Sequence, residues 1–357
     1  PLMRGVSRSK MPKPPRRWQT FALSIIFVGY VAATVWSWTF IDMTLTTIFG
    51  GFSDLWNLIT YMLPPNFDNL PTVIEATIET VWMALIGTFV SVLLSVPLAF
   101  LAARNTTPNS VVFAIGRAII TLARAIPTLV LAAVFTLALG IGPLAGILAL
   151  ALHSIGMIGK LFTEAVENSE EYSREAVLST GGGKWKTVVA TIVPQVTPAF
   201  IGTALYRLDI NLRESAVLGF VGAGGVGFVI QTELRGLDYQ RAISAVSVIF
   251  VVITIIEIVS TRLRASIIGD SLAKPGRVTE RSKKREAKDQ RMIIDAVTTR
   301  QLTPPMTYER KLRATMGITF LVLLVTAIIT IEMPVISSFG LLDDVWRSIL
   351  RLFPPEF

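Results

Sequence analysis

The sequence predicts an all-α membrane protein, and three observations carry that reading. Hydrophobic residues make up 52% of the 357 and charged residues only 16%, with a mean hydropathy of +0.60. A soluble domain of this size carries about 25% charged residues. The deficit is gathered into long uncharged runs, of the length a helix needs to cross a hydrocarbon core about 30 Å thick. Lysine and arginine are shared unevenly among the segments that join those runs, as they are around membrane spans. Helices follow because an open sheet edge in lipid leaves backbone groups without partners.

Thr20 to Ile41 is the first uncharged run. It follows a basic, proline-bearing stretch and is too long for the core of a cleaved leader, so it reads as a retained span. The chain opens on Pro1, as a sequence numbered from inside a longer product would. Thr80 to Ala103, bounded by Glu79 and Arg104, is the second span, with Glu75 and Glu79 solvated at its outer mouth. Ala125 to Gly159 carries no charge beyond neutral His153 and is too long for one crossing. Gly140-Ile141-Gly142-Pro143 therefore reads as the turn of a hairpin of two spans. Thr187 to Tyr206 is the fifth, with Pro194 and Pro198 inside it, and Ala242 to Thr261 the sixth, with Glu257 near its end. Pro97 and Pro127 read as kinks or helix ends, and His153 as a buried, hydrogen-bonded side chain.

Basic residues set the orientation. Arg4, Arg8, Lys10, Lys13, Arg16 and Arg17 precede the first span, whereas Asp42 to Ile74 contains no lysine or arginine. The N-terminus is then cytoplasmic and the first loop external. Arg104–Arg124, Lys160–Lys186 and the chain after Arg262 follow on the cytoplasmic side. Arg207, Arg213 and Arg235 fall on the outer side, against the rule. Ser271 to Arg291 holds eight Lys/Arg and three Asp/Glu, the composition of a solvated linker.

Several chemistries are excluded. The chain has no cysteine and one histidine, which removes disulfides, thiolate sites and most histidine metal clusters. The net charge of +8 lies mostly beside apolar runs, where it suits anionic lipid rather than nucleic acid. Gly222-x-Gly224-x-x-Gly227 matches a dinucleotide-binding fingerprint, but that fingerprint needs a preceding strand, and here it joins two apolar runs. Tight turns and close helix packing account for these glycines better.

The end of the chain repeats its beginning. Pro14 to Phe67 aligns without gaps on Pro304 to Phe357 at a constant offset of 290. Ile41-Asp42-Met43 meets Ile331-Glu332-Met333, Trp56 meets Trp346, and Pro64-Pro65-Asn66-Phe67 meets Pro354-Pro355-Glu356-Phe357. The reading is a second copy of the module that begins here. Either the chain is the first half of a fused tandem protein, or the extra span is a surviving duplicate.

Two motifs carry the functional reading. Glu175-Ala176-Val177, then Gly181, then Pro194 occupy positions 1–3, 7 and 20 of a twenty-residue stretch. Glu164 to Leu178 lacks proline and glycine and reads as a helix, stopped by Gly181-Gly182-Gly183. The stretch resembles the E-A-A loop of ABC importer permeases, with Val177 for the third alanine and Thr191-Ile192-Val193-Pro194 in place of I-x-L-P. From Tyr206 to Phe228 the chain reads YRLDINLRESAVLGFVGAGGVGF, and with Pro194-Gln195 and Pro198 it closely resembles the phosphonate importer permease family. That resemblance covers roughly Leu70 to Arg264.

The resemblance implies a type I importer-permease fold, a five-helix core with one added N-terminal helix. The segments are then a basic tail at 1–18, the added helix and outer segment at 19–69, the core at 70–264, a charged linker at 265–309 and the opening of a second repeat at 310–357. It implies no catalytic residue, no metal and no cofactor on this chain, with ATP and Mg bound by two cytoplasmic ABC ATPase subunits. An external substrate-binding protein and a second permease core complete the assembly in a bacterial cell membrane. The ATPase-coupling loop would be Glu175, Ala176, Val177, Gly181 and Pro194. Arg207, Asp209, Arg213 and Glu214 are costly near a bilayer unless paired or wet. They either line the path of an oxyanion, which suits arginine's planar fork, or form structural pairs holding the outer loop. An amino-acid or methionine importer sharing the core is one rival reading, and a ligand-sensing signalling protein is another.

The topology has a direct check. A cysteine at Ser53 is expected to react with impermeant reagents on intact cells, and one at Ser282 only after permeabilisation. The reverse pattern overturns the orientation.

Overall fold

A computed structural model describes residues 17–40, 44–268, 291–292 and 308–331. The basic tail to Arg16, most of the linker and the repeat's outer segment at 332–357 lie outside the described residues. The chain divides into two compact units, Pro1–Leu63 and Pro64–Phe357. Among the described residues there is no strand.

The first unit holds α1 (Arg17–Phe40), which takes in the first uncharged run from Thr20 as far as Phe40, and α2 (Leu45–Met62). The segment Asp42–Ile74, expected as an external loop, contains all of α2 and the first turn of the next helix. Phe49, Phe52, Trp56 and Ile59 recur every three or four residues there, a helical period that a search for long uncharged runs passes over.

The second unit opens with α3 (Leu70–Ala102), of 33 residues and about 50 Å long. It starts ten residues before the expected span, and Pro97 lies inside it rather than ending it. A buried line of Thr77, Thr80, Thr88, Ser91 and Ser95 runs along the helix. The hydroxyls of Thr77, Thr80 and Thr88 each return a hydrogen bond to the carbonyl four residues earlier, so they enter an apolar interior already satisfied.

Next come α4 (Ser110–Ala125) and α5 (Thr128–Leu139), which meet at an 86° bend. This corrects the expected hairpin of two full spans. The chain does turn at Gly140–Pro143, but α5 has only 12 residues, about 18 Å, and the supposed cytoplasmic segment before it is largely the helix α4. Pro127 makes the bend, because it caps α5 and disfavours helix at Ile126. His153 is half-buried rather than buried, and its Nδ1 lies 3.1 Å from the Ile126 carbonyl that the bend frees.

From the turn, α6 (Pro143–Glu167) runs back beside α3. Short helices α7 (Glu171–Ser179) and α8 (Lys184–Thr187) follow, then a π-helical turn at Val188–Ile192. It leads directly into α9 (Val193–Leu218). The π turn precedes Pro194, which has no N–H to give a regular ladder, and Val193 N–H donates to Val188 O instead. A 3₁₀ turn at Gly219–Val221, α10 (Gly225–Arg235) and α11 (Tyr239–Ile268) complete the core. Among the described residues, five helices are long and apolar enough to cross a membrane, or six if the bent pair forms one span.

α9 runs 12 residues past Tyr206, the expected end of the fifth span. Arg207, Asp209, Arg213 and Glu214 therefore stand within a long helix and not in an outer loop. Glu79 departs from its expected solvated position as well. It is half-buried, and its carboxylate accepts the Gly225 N–H while Thr80 Oγ1 accepts Val226 N–H at 2.8 Å. Two neighbouring residues of α3 thus cap the N-terminus of α10, whose first amides have no partner within the helix.

After the linker, α12 (Tyr308–Thr330) corresponds residue for residue to Trp18–Phe40 of α1 at the offset of 290. Its Leu324 and Ala327 are buried against Met83, Leu85 and Ile86 of α3 and Ile147 of α6. Phe320 lies 6.0 Å from Phe89 between ring centroids.

The return from α9 into α10 depends on glycine. A Cβ on Gly227 would run into the Ala216 carbonyl, and Gly219 faces Gly227 across the same crossing. Gly227→Ala is expected to lower the detergent-solubilised melting temperature by several degrees, since backbone atoms cannot yield. Gly183→Ala, with nothing within 4 Å of its Cβ, is the matched control and should leave it unchanged. Equal shifts in the two variants discount the crossing.

Candidate functional site

Two places gather the residues singled out above. The first is the segment between α6 and α9. The expected continuous helix from Glu164 to Leu178 is interrupted: α6 stops at Glu167, and α7 starts afresh at Glu171. Asn105 reaches across the gap and donates to Val166 O at 2.7 Å, stabilising the end of α6. No residue of α7 is buried. Glu175 and Ala176 are exposed, and Val177 is half-buried.

α7 is nonetheless held in place. Glu170 N–H donates to Gln195 Oε1 of α9 at 2.9 Å, and Arg174 Nη1 donates to Asn105 O at 3.1 Å. Its end is closed by Gly181, at φ 81°, which lets Gly181 and Gly182 N–H reach back to Leu178 O and Val177 O. This is a left-handed glycine stop, the local reason for a glycine six residues after Glu175. Pro194 is exposed at the start of α9. Glu175, Ala176 and Gly181 are thus exposed along α7 and its stop, Pro194 is exposed beyond the π turn, and Tyr172 and Trp185 are exposed in the same segment.

The second place is a charged layer within the spans. Arg207, 4% exposed, donates Nε to Ser154 Oγ at 2.9 Å and Nη2 to both Glu214 oxygens at 3.2 Å. Glu214 Oε2 also accepts from Thr128 of α5. Asn211, fully buried, accepts from Ser154 and donates to Thr88 Oγ1 at 2.8 Å. Asp209, also buried, accepts from Ser260 at 3.1 Å and from Arg264 at 2.5 Å. Arg213 pairs with Glu257 at 2.9 Å. Arg207, Asp209, Arg213 and Glu214 each have an oppositely charged partner, and these pairs lie within α9 or between α9 and α11.

Sequence reasoning passed over Thr88, Asn211, Ser260 and Arg264. Glu257, Ser260 and Arg264 are spaced three and four apart, which puts them on one face of α11 toward α9. That spacing within an apolar run was the available signal. Thr88 is an isolated polar residue in a long apolar stretch and gave none, whereas Asn211 stands at i+4 from Arg207 inside the quoted charged motif. No group of three or more His, Asp or Glu that could hold a metal ion occurs among the described residues.

Comparison with known proteins fits this architecture. Residues 95–269 match the family of binding-protein-dependent transport system inner membrane components. A phosphite transport system permease of Stutzerimonas stutzeri is 36% identical over 247 residues, 69% of this chain and 89% of that one. The chain belongs to this family of inner-membrane transport components. A phosphate-import permease of Mycolicibacterium smegmatis is 48% identical over 243 residues, 68% of this chain. The match spans 46% of that relative, so the chain corresponds to about half its length. Among solved structures, an inward-facing methionine ABC transporter covers 57% of this transport component and 99% of its own chain, with a TM-score of 0.50 at 19% identity. The fold is that of type I importer permeases, and the component is a multi-pass membrane protein.

The Asp209–Arg264 pair gives a stability test. Asp209→Leu leaves Arg264 unpaired beside a buried surface and is expected to cost about 3 kcal/mol, as broken buried pairs do. Asp209→Leu with Arg264→Met should recover most of that loss in thermal unfolding of the solubilised protein. A double variant weaker than the single one removes the pairing argument.

Proposed function

We propose that the chain is the membrane-spanning permease subunit of an ATP-driven importer for phosphonates or related phosphorus oxyanions. The observation that carries this is α7, an exposed but tethered short helix bearing Glu175-Ala176-Val177 ahead of the Gly181 stop. An exposed helix fixed to a span is the shape a docking partner needs in order to move that span. Relatives named for phosphate and phosphite transport support the substrate class. The chain performs no covalent chemistry in this reading.

In the proposed assembly, two cytoplasmic ATPase subunits bind ATP and Mg and grip α7 of each core. An external binding protein delivers the anion, and a second permease core faces this one across the path. The N-terminus lies in the cytoplasm, as the lysine and arginine count requires. ATP-driven closure of the ATPases pulls on α7 and rocks the spans as a rigid body. Arg207, Asp209, Arg213 and Glu214 belong to the helix beside the path. The repeat forms part of the proposal: α12 opens a second copy of the module that α1 opens, supported by their matching helical bounds.

Gly181→Pro and Glu175→Lys test the coupling. Both should insert normally yet retain about tenfold less ATPase on purification, the loss expected of a disrupted interface anchor. Phosphite-stimulated ATP hydrolysis in liposomes should fall with it. Wild-type retention and hydrolysis in both variants remove the coupling role.

A further inference from the structure

The two arginines nearest the proposed path differ in what they have left to offer a ligand. Arg207 has a side chain 5% exposed, and its Nε and Nη2 donors are committed to Ser154 and to both oxygens of Glu214. An anion reaching it would have to displace a carboxylate that is itself tied to Thr128. Arg213 has a side chain 52% exposed, and one ion pair, Nη2 to Glu257, is recorded for it. Glu257 is likewise 52% exposed.

Depth makes that exposure informative. Asn211, two residues from Arg213, bonds to Thr88 and Ser154, which stand near the middle of α3 and α6. The Arg213–Glu257 pair therefore opens out of the fold close to mid-span. A half-open ion pair at that depth is costly against lipid, whereas it is stable against a water-filled cleft. Tyr206 and Val217 are exposed at helical spacing from Arg213 on α9, and Phe220 is exposed in the 3₁₀ turn that follows. The face is an apolar and aromatic wall with one charged pair set in it, as small-ligand passages are built.

Resting on the import reading above, we infer that Arg213 is the arginine that meets the transported oxyanion, and that Glu257 holds it between passages. The guanidinium fork accepts a carboxylate and a phosphorus oxyanion through the same donors. Glu257 is thus a built-in stand-in for the cargo, and the two anions exclude each other. Arg207 is a positioning residue that fixes α9 against α5 and α6. No bond is made or broken in the exchange.

The absence of native cysteine allows a test that does not depend on the substrate. In the fully assembled importer, Arg213→Cys should react with a membrane-impermeant anionic thiosulfonate, while Ser215→Cys, fully buried in the wild type, should not. Phosphite and methylphosphonate serve as the transport probes. In proteoliposomes, Arg213→Gln should cut uptake of these probes about tenfold or more, and Arg213→Lys should restore part of it. Glu257→Gln should lower both the half-saturating concentration and the maximal rate, because the cargo then has no competitor. An unreactive Arg213→Cys, or Arg213→Gln uptake within about twofold of wild type, overturns the inference. A wild-type importer that moves neither probe overturns the phosphorus-oxyanion reading and the anion exchange with it. The labelling pattern then still decides whether this face is wet.

Discussion

A charge inside a membrane span has to be paired or wetted, and the core of this protein is arranged around that constraint. α9 carries Arg207, Asp209, Arg213 and Glu214 within eight residues, and the groups that satisfy them and Asn211 come from four neighbouring helices. Ser154 comes from α6, Thr128 from α5, Ser260, Glu257 and Arg264 from α11, and Thr88 reaches Asn211 from α3. Van der Waals packing between apolar helices tolerates sliding and rotation. Hydrogen bonds to four neighbours do not, so the polar layer sets both the depth and the rotation of α9. Other helices are then placed relative to it.

Much of the fold was legible because hydropathy runs and lysine–arginine bias report directly on lipid. The break at Gly140–Pro143, the helix stop at Gly181 and the glycines after Leu218 were legible for a different reason, since each marks a backbone demand. What escaped was set by tertiary partners. A run of charges looks like the end of a span until Arg264 and Glu257 are seen to neutralise it, so α9 was cut short at Tyr206. Glu79 looked solvated because nothing local says that the amides of α10 arrive beside it. The bend at Pro127 shortened α5 through a proline whose effect on the next helix depends on where the chain has room to turn. The sequence marked the segment proposed for coupling by its spacing, yet the gap at Asn168–Glu170, held by Asn105, lay beyond it.

In the proposed importer, the path of force is short. α7 is joined to α9 through Glu170 and Gln195, and the π turn at Val188–Ile192 lies between them along the chain. A π turn carries one residue more per hydrogen-bonded ring than an α turn and offers a place for the helix to change its winding. Beyond it α9 continues without interruption to the charged layer, apart from Pro198. Motion imposed at the cytoplasmic end therefore arrives at Arg207 and Arg213 as movement of one rigid rod, and the two ion pairs to α11 carry that helix with it.

The same layer has an electrical consequence. Arg207, Arg213 and Arg264 are formally balanced by Asp209, Glu214 and Glu257. A unit charge crossing a potential of 100 mV exchanges about 2.3 kcal/mol with the field. Because the six charges cancel, α9 and α11 can shift together through the bilayer while carrying almost no gating charge. In the proposed importer, the conformational equilibrium of this layer is therefore insulated from the membrane voltage.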